Sequence, residues 1–172
     1  MAEARSGALF ANMGITLLRV AAAAATADVP IARDALTVLR DAPPPVWDDR
    51  TRDDLVAWLR AGPPALDVFS ALDHEDLVTR ILPEWANVRF LPQRNAYHRF
   101  TVDRHLEEAV VEAARLLDGP EGPAERPAEV LERPDLLLLG ALLHDIAKGM
   151  AGDHSEVGEE RARTIATRLG YD

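Results

Sequence analysis

Residues 140–158 read GALLHDIAKGMAGDHSEVG, and four side chains there suit a cation or a phosphate: His144, Asp145, Lys148 and His154. An imidazole beside a carboxylate at the end of a leucine-rich run is expected to sit in an apolar wall. Charge in such a wall is costly unless something compensates it, and a divalent metal is the compensation this pair suggests. A second imidazole, His105, lies on the face that Val102, Ala109, Ala113 and Leu116 share at three- and four-residue spacing. A core histidine bonded to backbone is the plain alternative for His105. A second apolar helix bearing a histidine favours the ligand reading. The chain has no cysteine, so disulfides and thiolate chemistry are excluded and any metal must rest on His and Asp/Glu. That nitrogen and oxygen set suits Mn, Fe, Mg or Zn.

The supporting groups keep two readings each. Lys148 complements the C-terminus of its helix, grips a phosphate oxygen, or does both. His154, behind an Asp153 cap and a Glu156 that completes a capping box, is a surface histidine or a ligand at a helix N-terminus. His98 in PQRNAYHRF either backs a ligand or ligates directly. Gln93, Arg94 and Tyr97 combine donors, a cation and an aromatic face, so that segment borders a phosphate pocket or straps the helices.

The elements that must hold these groups read as all-α. The chain has 172 residues, 48% hydrophobic but only 5% aromatic, which favours helix on helix over a β-sandwich. Helices are expected over 8–27, from Pro30 to Arg40, from a Thr51 cap to Gly62, and as one or two short pieces across 63–82 with Asp73 as a cap. An irregular loop over 83–100 follows, then helices over 101–118, 134–148 and 154–170. A net charge of −10 without a dense basic run makes nucleic acid a poor partner. Arg19, Asn12, Gly14 and an alanine-rich half weaken residues 7–27 as a membrane span, and a signal peptide fits poorly because Arg5 alone stands for its basic flank and Glu3 offsets it. A cytoplasmic setting is compatible with these features.

His105 followed by His144-Asp145 resembles the His…His-Asp signature of the HD metal-dependent phosphohydrolase superfamily. LPEW, PQRNAYHRFTVDRH, RPDLLLLGALLHDIAKG and GDHSEVG, in that order, resemble more closely the bacterial bifunctional uridylyltransferase/uridylyl-removing enzymes that act on the nitrogen regulator PII. The resemblance implies a helical lead-in over 1–82 and an HD domain over 83–172. It implies Mn2+ or Mg2+ held by His105, His144 and Asp145, with His154 on a second metal or the phosphate. It also implies catalytic roles for His144, Asp145 and Lys148, and substrate contacts for Arg94, Tyr97 and His98. The substrate implied is PII carrying UMP or AMP on a tyrosine.

The nucleotidyltransferase strand and Gly-Ser turn of that family, its ACT domains and a closing aspartate on a later helix are not matched. The expectation is therefore an HD domain truncated at its C-terminus, weak in metal binding and in hydrolysis. A generic HD nucleotide phosphohydrolase and an inactive helical remnant serving interaction or regulation are the alternatives.

Overall fold

The structure is a computed structural model that describes residues 17–93, 100–118, 133–151 and 154–171, with backbone alone for 154 and 155. Among the described residues there are eight α-helices, one 3₁₀ helix and no strand, so the chain is all-α. The helices form two compact units that part between Pro83 and Glu84. No helix among the described residues is long and apolar enough to cross a membrane.

The first unit holds α1 (Leu17–Ala27), α2 (Arg33–Arg40), α3 (Asp49–Arg60), α4 (Pro63–His74) and α5 (Val78–Ile81). α1 packs on α3 and α4. Its buried Ala21, Ala22, Ala24 and Ala25 let backbones approach, while Leu55, Trp58 and Leu59 of α3 supply bulk. Trp58 tilts against Phe69 with ring centroids 4.2 Å apart, and its indole N–H donates to the Ala65 carbonyl at 3.3 Å. Arg19 Nε donates to both oxygens of Asp54, at 2.8 and 3.0 Å, and so ties α1 to α3. Arg80 of α5 donates to the carbonyls of Leu39, Arg40 and Ala42, at and just beyond the end of α2, where carbonyls lack the full helical ladder.

Three local expectations need correction here. α2 starts at Arg33, beyond Pro30. The cap of α3 is Asp48, whose carboxylate accepts the N–H of Thr51 at 2.8 Å and its hydroxyl at 2.7 Å. Asp73 lies inside α4, and the N-cap of the helix that follows is Leu77. Residues 8–16 of the expected first helix lie outside the described residues.

The second unit begins within the 3₁₀ helix Pro83–Asn87, where an irregular loop was expected. Trp85 is fully buried there, and Glu84 accepts two hydrogen bonds from Arg168 at 2.6 and 2.7 Å. Phe90 then turns the chain with a φ of 56°. Its N–H donates to Asp103 Oδ2 at 2.6 Å, and the Leu91 carbonyl accepts from Val102 N–H at 2.9 Å. Both bonds seat this segment on the start of α6 (Val102–Leu117). α6 packs on α7 (Pro134–Leu143), and α8 (His154–Arg168) completes the unit with Ile165 and Leu169 buried.

Candidate metal centre

α7 is punctuated at its start as expected, with Pro134 in the first turn, but it stops at Leu143 with His144 as C-cap. Successive turns follow, closed by bonds from Ile146 N–H to Leu143, Lys148 N–H to Asp145 and Met150 N–H to Ala147. Gly149, with a φ of 84°, ends them. These turns send Ile146 and Ala147 into the core and bring His144 and Asp145 out of it. Their side chains are 43% and 27% exposed, so the pair stands at the edge of the apolar wall. The expectation of burial fails because the helix that would have carried both inward has already ended.

His105 needs a similar correction. The buried face of α6 runs through Val102, Leu106, Val110, Ala113 and Leu117, while Leu116 is exposed. His105 lies beside that face with a side chain 31% exposed. A position at the border of the core is what a ligand needs: packed on one side, open on the other.

Three donors converge across α6 and the turns after α7. His105 Nε2 and His144 Nε2 are 3.1 Å apart, and Asp145 Oδ2 is 3.7 Å from each. The two rings meet edge to face, with centroids 5.1 Å apart. Donors bonded at about 2.1 Å to one cation stand about 3 to 4 Å from each other, so the separations fit a metal. The protonation pattern fits as well. His144 Nδ1 donates to the Ala141 carbonyl at 2.9 Å, which leaves the Nε2 lone pair facing the other donors. Burial works against ionising Asp145. The hydrogen bond from Lys148 Nζ at 2.7 Å, with the charge of Lys148 and the two imidazoles, outweighs it and holds the carboxyl below the usual aspartate range. Among the described residues this is the group of His and Asp/Glu that could hold a metal ion.

Lys148 is thus brought to the site, while other expected residues are not placed. His154 is the first residue of α8, and its side chain is outside the description. Arg94, Tyr97 and His98 lie outside the described residues, as does Asp153. The segment leading to them is described, however. A Cβ on Gly149 would meet Leu91 Cδ2 at 2.8 Å, so Leu91 lies directly over the turn that follows Lys148.

Two features escaped the sequence reading. The Ala141 carbonyl that orients His144 is backbone and carries no residue-type signal. The other is a cleft of about 630 Å³ between α7 and α8, lined by Leu139, Gly140, Leu143, His144, Ala162 and Ala166 among others. Gly140, with open space where a Cβ would lie, was its one available signal, because a mid-helix glycine costs helix stability that packing does not return here.

Residues 102–172 match the HD domain family. The bifunctional uridylyltransferase/uridylyl-removing enzyme of Streptomyces coelicolor is 50% identical over 159 residues, covering 90% of this chain and 18% of that protein. The enzyme of the same name from Mycobacterium tuberculosis is 45% identical over 158 residues, covering 90% and 18%. That of Corynebacterium glutamicum is 34% identical over 157 residues, covering 90% and 21%. The chain spans about a fifth of the length of these curated relatives. No solved structure is significantly similar. This chain therefore carries an HD domain, homologous to the HD region of the bifunctional uridylyltransferase/uridylyl-removing enzymes.

Proposed function

We propose that the site hydrolyses a nucleotidyl-tyrosine phosphodiester on a PII-type protein with a divalent metal, Mn2+ or Mg2+. The observation that carries this reading is the convergence of His105, His144 and Asp145 within 4.8 Å of one another. These three hold the metal. A bound divalent metal supplies two things here, activation of water and polarisation of a phosphoryl oxygen.

The chain's own groups do the rest. Ala141 fixes the His144 ring so that Nε2 and not Nδ1 faces the site. Lys148 Nζ sits at the same carboxylate oxygen that the imidazoles approach, within reach of charge developing on a phosphoryl group. The tyrosine phenol, with a free pKa of about 10, is a tolerable leaving group. His154 is assigned to a second metal or the phosphate, and Arg94, Tyr97 and His98 to the substrate. The partner reading carries a cytoplasmic setting with it.

Three protein donors leave an octahedral ion dependent on water or a further group, so metal binding is expected to be weak and turnover slow. The test is Mn2+-dependent release of UMP or AMP from nucleotidylated PII, run beside free nucleotides. Release from the protein substrate, lost on chelation, supports the reading. Hydrolysis of free nucleotides alone would replace it with a small-molecule phosphohydrolase, a reading that the cleft beside His144 favours by its size. No hydrolysis and no Mn2+ binding would leave a helical module without catalysis.

A further inference from the structure

Lys148 and the metal ask for the same atom. Lys148 Nζ lies 2.7 Å from Asp145 Oδ2, and that is the oxygen 3.7 Å from both His105 Nε2 and His144 Nε2. The backbone makes the arrangement hard to avoid. Lys148 N–H bonds to the Asp145 carbonyl at 2.9 Å, which closes a turn and keeps both side chains on one side of it. Gly149, with its positive φ, follows against Leu91, and the Lys148 side chain as a whole stays 32% exposed.

An ammonium and a dication sharing one carboxylate oxygen stand only a few ångströms apart and repel, and they divide the negative charge between them. A flexible four-carbon stem offers the way out, because it can release the oxygen without disturbing the turn.

We propose that Lys148 is the metal's competitor for Asp145: it holds the ligand oxygen until metal loading displaces it, and displacement delivers its charge to the substrate side of the site. Lys148 is then a positioning residue before it faces phosphate, and occupancy of the metal site controls where its charge points. This inference rests on the metal reading above and goes beyond it in sign. A lysine that merely orients Asp145 for the metal would help binding, whereas a competitor hinders it.

The experiment is a calorimetric Mn2+ titration of the 172-residue chain, its Lys148→Met and Lys148→Arg variants, with thermal melts in chelator alongside. Lys148→Met is expected to bind Mn2+ about fivefold to tenfold tighter while melting lower in chelator, since Asp145 has lost its partner. Lys148→Arg is expected to restore both properties toward the parent. Opposite movement of affinity and metal-free stability is the signature, and misfolding lowers both. Weaker or unchanged Mn2+ binding by Lys148→Met, in a parent that binds, overturns the inference and leaves the metal reading intact. Failure of every protein to bind Mn2+ overturns both.

Discussion

His144 donates its Nδ1–H to the carbonyl of Ala141 at 2.9 Å, and that backbone bond decides which nitrogen serves the site. Asp145 is different, because its contribution is charge. Replacing it by Asn keeps the shape and an oxygen but removes the negative charge that a hard cation needs. Asp145→Asn is therefore expected to weaken Mn2+ binding by about 10-fold to 100-fold or more, with far-UV circular dichroism nearly unchanged because the residue lies outside α7. Calorimetric titration beside the spectrum checks both halves, and unchanged affinity would remove Asp145 from the ligand set. That His105, His144 and Asp145 come together was legible in the sequence, since their types and order carry it. Their surroundings were not. Apolar spacing placed His105 on the buried face and His144-Asp145 in the wall, but spacing is blind to a helix that stops at Leu143, five residues short of its expected end. The exposed Leu116 and the half-exposed His105 show how one small rotation of the core face of α6 changes both assignments.

Helices in this chain are held at their ends as much as along their faces. Arg168, at the end of α8, grips Glu84 of the 3₁₀ helix with two hydrogen bonds, although the residues are far apart in sequence. The Arg168 hydrogen bond is the main cause that holds the Glu84 carboxyl below the usual glutamate range, with burial pushing the other way. A carboxyl whose folded pKa lies below its unfolded value, about 4.3 for glutamate, lends stability that is fully present above that value. The contribution is lost as pH falls through the folded pKa. Glu84→Gln is therefore expected to cost about 1 kcal/mol at pH 7, the size for a well-formed but partly exposed pair. The deficit should shrink toward zero below about pH 4. Denaturant melts across that range check it, and a deficit that grows on acidification would refute the assignment. Nothing in the sequence pairs Glu84 with Arg168, because such a contact depends on how α8 returns to the start of the unit. The helices themselves were largely readable. Pro134 and Gly149 bracket the ligand-bearing segment, and 101–118 and 154–170 came within a residue or two of α6 and α8. The misplaced cap of α3 has a local cause: Asp48 and Thr51 are both good caps, and only the structure shows that Thr51 is a donor to Asp48.

At the scale of the whole molecule, chemistry and bulk are partitioned. His105, His144, Asp145 and Lys148 all belong to the unit that begins at Glu84, and its core runs through Leu106, Val110, Leu142, Ile146 and Ile165. The first unit has a core of its own, built from Leu18, Leu59, Phe69 and Leu72. A ligand stabilises what it binds by an amount set by its concentration over its dissociation constant, about 2.7 kcal/mol at a hundredfold excess. The site joins α6 to the turns after α7, so opening either element breaks it, and core amides of the second unit exchange through such openings. Hydrogen exchange at saturating Mn2+ is therefore expected to slow by up to about 100-fold at Val110, Leu142 and Ile165. Leu18 and Leu59 in α1 and α3 are expected to change by less than about twofold, because His105, His144 and Asp145 all belong to the other unit. Mass spectrometry of exchanged peptides, with Asp145→Asn as the unliganded control, makes the measurement. Equal slowing in both units would show that the metal stabilises the chain as a single cooperative block, and the partition argued here would fail. Slowing confined to the second unit and absent in the control would tie stability, metal and the three donors to one half of the chain.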